Sequence, residues 1–135
     1  MYEKPFALEI IAPDRVVFSG KATSFSAPGI EGGFQVLVNH APLVSALEVG
    51  ELKVKSTAGA DTRYAASGGF VEVRDNKVIV LAESAERADE IDIQRATAAR
   101  DRAKRRLRSR EKDIDLERAR AALYRALNRL RIASK

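Results

Sequence analysis

Arginines dominate the residues that could do chemistry in this chain. Arg95 and Arg102 stand seven apart, and Arg125 and Arg129 four apart, spacings that put each pair on one face of a helix. If the two helices fold together, four guanidinium groups can converge on one polyphosphate, because each presents several parallel N–H donors to phosphate oxygens. A solvated basic face with no ligand fits the same spacing.

No reacting centre emerges elsewhere. Gly29-Ile30-Glu31-Gly32-Gly33 is glycine-rich but lacks the Gly-Lys-Ser/Thr that follows in a phosphate loop, so it reads as a tight β-turn. Ser67-Gly68-Gly69 has no glycine two residues before the serine and is not a nucleophile elbow. His40 is the single histidine, which rules out a His-based metal cluster; it reads as a turn or interface residue in preference to a catalytic base. Glu83 and Glu86 are three apart and could pair for acid/base work, but they sit where sheet gives way to helix and read as solvated linker charges. Cysteine is absent, which excludes disulfides and thiolate metal sites. These exclusions point to a protein that is not an enzyme.

The elements that must position these residues change character near Ser84. Before it, Pro13-Asp14, Gly20, Pro28-Gly29, Gly32-Gly33, Asn39, Gly50, Gly59, Gly68-Gly69 and Asp75-Asn76 punctuate the chain. Intervals of roughly 6 to 12 residues leave room for strands and none for a crossover helix. Leu52, Val54 and Ser56 alternate with Lys53, Lys55 and Thr57 as in a strand with one wet face. Phe70–Val73 and Val78–Leu81 flank Asp75-Asn76 as a hairpin whose two turn residues accept positive φ. Leu43–Leu47, after Pro42, reads as a strand or one short helical turn.

After Ser84 the chain is helical and free of glycine and proline. Ala96, Ala99, Ala103 and Leu107 form one narrow stripe; Leu116, Ala119, Leu123, Leu127 and Leu130 form a second, with Asp113 as the expected N-cap. Small residues facing leucines predict an antiparallel hairpin of two helices, each about 16 to 20 residues and roughly 25 to 30 Å long. The fold class is therefore α+β: an N-terminal antiparallel β-sandwich over residues 1–86, then a C-terminal two-helix hairpin over 87–135.

Charge follows the same division. Residues 1–85 carry a net −2 and residues 86–135 a net +7, which make up the formal +5. The basic tail should therefore seek an anionic ligand, an acidic partner or nucleic acid. A nucleic-acid-binding protein with a basic helical arm is the competing class. Against it, nine acids interleave the tail's sixteen bases, and the sheet half offers no aromatic stacking platform. A nucleotide hydrolase lacks its phosphate loop. No apolar run approaches the roughly 20 residues that span a bilayer, so the expectation is a soluble, cytosol-facing protein that meets a membrane only through a partner.

Seven motifs then fall in register: Pro13-Asp14-Arg15, Pro28-Gly29-Ile30-Glu31-Gly32-Gly33-Phe34, Asn39-His40-Ala41-Pro42-Leu43, Gly50, Ser67-Gly68-Gly69-Phe70-Val71-Glu72-Val73, Val80-Leu81-Ala82-Glu83-Ser84-Ala85-Glu86, and Ile91-Asp92 with Arg95-Ala96. Together they resemble the epsilon-subunit family of bacterial F-type ATP synthases. Gln35 departs from the resemblance, where the family most often has glycine. The resemblance implies a non-catalytic rotor subunit peripheral to the cytoplasmic face of the bacterial inner membrane, coupling rotation to ATP synthesis. Its implied partners are the gamma subunit and the c-ring, with Glu31, Gly33 and His40 at that rotor interface. The alpha and beta catalytic subunits join them when the hairpin extends, and Arg105, Arg106, Arg108 and Arg110 then make inhibitory contacts that restrain ATP hydrolysis. No cofactor is implied as required. A regulatory ATP is implied on the folded hairpin, at Ile91, Asp92, Arg95 and Ala96 with Glu86, Arg102, Arg125 and Arg129; Asp92 reads adenine and the arginines hold phosphates.

Overall fold

A computed structural model describes residues 4–109 and 113–134. The strands are β1 (Phe6–Ala12), β2 (Arg15–Gly29), β3 (Gly32–Leu37), β4 (Leu43–Ser56), β5 (Asp61–Arg74), β6 (Lys77–Ala82) and β7 (Ala85–Arg87); a 3-10 turn (Ala88–Glu90), α1 (Ile93–Arg108) and α2 (Leu116–Ala133) follow. They form two compact units, Met1–Arg87 and Ala88–Lys135.

In the first unit, alternation sorts side chains between core and solvent. Phe6, Leu8, Ile10 and Ala12 are buried on β1, and Leu52 and Val54 on β4 while Lys53 and Lys55 are exposed. These side chains join Phe25, Val36, Val71, Val78 and Val80 in one core, where each large apolar side chain contributes about 1.5–3 kcal/mol. Neighbouring strands run β1-β6-β5-β4-β2-β3, and β1 also pairs with β2, so the sheet closes on itself; β7 pairs with β5. Pairing is antiparallel except for β1 with β6, which is parallel. That exception is the closure itself, since β2 to β5 intervene before β6 arrives alongside β1.

The turns obey local chemistry. Asp75 (φ 51°) and Asn76 (φ 56°) make the expected two-residue hairpin. The Asn76 carboxamide also ties three segments: its Oδ1 accepts from Asn39 N–H (2.8 Å) and its Nδ2 donates to the Lys4 carbonyl (3.1 Å). Ile30 and Glu31 turn the chain between Gly29 and Gly32, which face each other across β2 and β3. Gln35 lies in extended β3, its Nε2 donating to Ser24 Oγ (2.9 Å), so this position makes no demand for glycine. Leu43–Leu47 is strand, the start of β4.

In the second unit, Asp92 caps α1 and Asp115 caps α2, each carboxylate accepting from the backbone N–H three residues on at 3.0 Å. The cap of α2 is thus Asp115 rather than Asp113. Asp115 alone has an apolar residue before it, Ile114, and Ala119 at the fourth helical position, the two places where a hydrophobic staple fixes chain entry. The stripe expected on α1 is present, with Ala96 and Ala103 buried and Ala99 and Leu107 half-buried. On α2 the expected stripe holds at Ala119, buried, and at Leu123 and Leu130, half-buried, but is corrected at Leu116 and Leu127, which are exposed, while Ala126, Asn128 and Ile132 are buried. Alanines seven apart on both helices let the axes approach more closely than facing leucines permit.

Strand β5 bends at Gly68 (φ 122°) and Gly69 (φ 131°), and a Cβ on Gly69 would drive into the Leu81 carbonyl. Gly59 (φ 91°) has equal need of positive φ but open space around it. Gly69→Ala should therefore cost at least about 3 kcal/mol and Gly59→Ala about 1 kcal/mol in urea unfolding. Equal costs would show that close packing at Leu81 is unimportant.

Candidate functional site

Two surfaces concentrate what this fold can offer a partner or ligand. The first is the outer face of the sheet. Strand register sets Ala46, Phe70, Leu81 and Ile11 side by side across β4, β5, β6 and β1. In the next row Val44 and Ile79 flank Glu72. Outward positions on a one-sided sheet are ordinarily polar, yet Phe70 is 59% exposed, Leu81 55% and Val44 73%. Ile30 and Val44 also line a groove of about 340 Å³ that includes Glu31 and Phe34. An exposed apolar row of this kind is a surface that a partner could cover.

Of the interface residues expected from the sequence, Glu31 lines that groove and Gly33 follows it in β3. His40 sits in the turn between β3 and β4, where its Nδ1 donates to the Ala41 carbonyl (2.7 Å). The apolar row itself was missed. Its signal was the pair of large apolar residues, Phe70 and Leu81, at positions where strict alternation calls for polar ones.

The second surface is the hairpin. Ile91 is buried just before α1, Asp92 caps it, Arg95 is exposed in the first turn, and Ala96 is buried. The Asp92 carboxylate thus holds a backbone amide, a structural duty that the resemblance did not suggest. At 100° per residue, Arg95 and Arg102 project about 100–120° to one side of the buried alanines of α1, and Arg125 and Arg129 about 80–120° to the same side of those of α2. Reversing the direction of the second helix brings equal angles out on one flank of an antiparallel pair, so the fold gathers both arginine pairs there. Glu86 lies on β7, in the other unit.

The inhibitory set does not share a face. Arg105, Arg106 and Arg108 are all exposed, but only Arg106 joins the flank of Arg95 and Arg102; Arg105 and Arg108 point elsewhere, about 100° and 160° away from it. Arg110 lies outside the described residues. Among the described residues no cluster of three His, Asp or Glu side chains could hold a metal ion, and no helix is long and apolar enough to cross a membrane.

Comparison with known proteins covers both units. Residues 5–88 match the family described as ATP synthase, Delta/Epsilon chain, beta-sandwich domain, and residues 89–134 match its long alpha-helix domain. An ATP synthase epsilon chain from Syntrophomonas wolfei is 47% identical over 112 residues, covering 83% of this chain and 82% of the relative. One from Nitratidesulfovibrio vulgaris is 53% identical over 105 residues, covering 78% of each. The fold resembles a chain in the cryo-EM structure of Euglena gracilis mitochondrial ATP synthase (OSCP/F1/c-ring) with a TM-score of 0.84 and 23% identity, covering 100% of this chain and 84% of that one. A sheet unit and a helical hairpin, each matched along its length and in the same order, place this chain in the family of ATP synthase delta/epsilon chains.

Proposed function

We propose that this protein is the epsilon-type, non-catalytic subunit of the central stalk of a rotary ATP synthase, held at the cytoplasmic face of a bacterial membrane through its partners. The observation that carries this reading is the pairing of a closed, self-cored sheet bearing an exposed apolar row with a separate basic hairpin. A rotor mount needs the first: a rigid body whose apolar face is covered by a partner, here a gamma-type subunit, with the groove at Glu31 turned to a ring of c subunits. A regulator needs the second: an arm that can exchange one set of contacts for another.

Within this reading the hairpin responds to ATP. A ligand shifts a conformational equilibrium only through differential affinity for its two states. Arg95 and Arg102 share a phosphate chain with Arg125 and Arg129 only while the helices lie together, so bound ATP favours the closed hairpin. The opened arm restrains ATP hydrolysis by setting its basic side chains against acidic groups on a catalytic subunit. Because Arg105, Arg106 and Arg108 point in different directions, that contact surrounds the helix rather than lying on one side of it. The support for ATP binding and for the brake is the family resemblance together with the shared arginine flank.

Three outcomes test these statements. Phe70→Glu and Leu81→Glu alter exposed positions, so the fold should keep its stability within about 0.5 kcal/mol while co-purification with the gamma-type subunit and c-ring is lost; full assembly of both variants would move the mount elsewhere. Isolated protein should bind ATP near about 1 mM, roughly 4 kcal/mol. Arg95→Ala and Asp92→Ala should each weaken that binding at least about tenfold. Arg100→Ala should do much less, since Arg100 pairs with Asp101 (3.0 Å) away from the flank. Asp92→Asn keeps a good N-cap, so normal binding by that variant would assign Asp92 to holding the first turn, and absence of heat at several millimolar ATP would remove the nucleotide. Finally, neutralising Arg105, Arg106, Arg108 and Arg110 together should raise ATPase activity of the assembled enzyme and reduce its salt dependence; unchanged rates with the subunit still bound would exclude an electrostatic brake.

A further inference from the structure

The two helices repeat each other. Ile91-Asp92, Arg95-Ala96, Ala98-Ala99, Arg102-Ala103 and Arg106-Leu107-Arg108 recur 23 residues later as Ile114-Asp115, Arg118-Ala119, Ala121-Ala122, Arg125-Ala126 and Arg129-Leu130-Arg131. The structure treats their N-caps and buried alanines alike. Their caps have φ/ψ of −79°/101° and −77°/100°, with the same 3.0 Å bond from carboxylate to amide. Their equivalent alanines are equally buried, Ala96 and Ala119 at 3%, Ala103 and Ala126 at 2% and 0%.

Two like helices lying antiparallel on like faces are related by a two-fold axis perpendicular to both, so equivalent residues emerge on the same side. The arginine flank therefore holds six guanidinium groups: Arg95, Arg102 and Arg106 from α1, and Arg118, Arg125 and Arg129 from α2. Antiparallel packing sets Arg95 level with Arg129 at the open end and Arg106 level with Arg118 at the connected end, with Arg102 and Arg125 between. The acids within the two helices, Asp101 and Glu117, fall on other sides of them, and the cap carboxylates accept from the amides of Arg95 and Arg118. Arg95, Arg102, Arg106 and Arg118 are all exposed. From Arg95 to Arg106 the row runs about 16 Å at 1.5 Å per residue, so a single triphosphate leaves part of it unused.

We propose that this flank is a two-fold oligophosphate surface, in which a second half around Arg106 and Arg118 binds a phosphate chain as the half around Arg95 and Arg129 does, with Arg102 and Arg125 shared. This goes beyond the regulatory ATP reading, which uses neither Arg106 nor Arg118, and it needs no adenine. Planar guanidinium forks on opposed helices suit phosphate oxygens, and two occupants meeting at shared arginines repel each other, so the second binds more weakly than the first.

The test is calorimetric titration of the full chain with sodium tripolyphosphate, with circular dichroism confirming the fold of each variant. Wild-type protein should bind two molecules per chain. Arg106→Gln/Arg118→Gln and Arg95→Gln/Arg129→Gln should each retain one, while Arg105→Gln/Arg108→Gln, an equal loss of charge on other faces, should retain both with affinities changed less than about threefold. One tripolyphosphate per wild-type chain, or equal loss in the Arg105/Arg108 control, would overturn the proposal and leave a diffuse basic surface. A parallel titration with ATP separates the sources: two ATP per chain make the nucleotide the ligand of both halves, and one ATP beside two tripolyphosphates makes an inorganic chain the ligand of the second. Two tripolyphosphates with no ATP bound would sink the regulatory ATP reading and leave the oligophosphate surface standing.

Discussion

Strand β5 pairs with β4 along nearly all its length, with β6 from Gly69 onward and with β7 from Tyr64 to Ala66. It can serve all three because its backbone passes hard against Leu81 at Gly69, where no side chain fits. Glu83 N–H donates to the Gly68 carbonyl (3.0 Å), and Ser67 and Ser84 share a hydrogen bond of 2.6 Å between hydroxyls, so the bend is fastened on its far side as well. Lose that approach and β6 is displaced; β1 depends on β6 for its parallel partner, and closure onto β2 depends on β1. The burial of Phe6, Leu8, Ile10, Val78 and Val80 follows from this one close passage.

Closure of the sheet has a functional corollary. A body whose core is complete can leave the outer row of Phe70 and Leu81 for a partner without endangering its own fold. The hairpin is built in the opposite manner. An alanine seam buries little area per contact, so the free energy holding the helices together is modest. Helices of 16 and 18 residues lie close to the length at which an isolated helix is marginal in water. Each has its own aspartate cap, however, so neither borrows its start from the other. In the proposed role, this combination makes the arm responsive: a ligand or partner worth a few kcal/mol can decide between arrangements while both helices persist.

Much of this was legible in the sequence, because it depends on properties that act along the chain. Positive φ at Asp75-Asn76, alternation on β4, the turn at Ile30-Glu31 and the α1 stripe of Ala96 and Ala103 each follow from the residue and its near neighbours. The two-unit organisation and the concentration of arginine in the second unit were visible for the same reason. Tertiary structure decided what depends on which segment arrives opposite. Nothing local says that β6 runs parallel to β1, or that Phe70, Leu81 and Ile11 meet in one exposed row, since register is a relation between distant strands. Periodicity alone placed Leu116 and Leu127 beside Ala119 on the contact face of α2, yet both are exposed and Ala126 is buried with Ala119, because the matching alanines of α1 reward close approach. Asp115 displaced Asp113 as the cap because it alone has an apolar residue before it, Ile114, and a buried one, Ala119, at the fourth helical position. The arginine spacings showed which residues share a helical face; only the antiparallel pairing, which reverses one helix against the other, brought those faces to the same side.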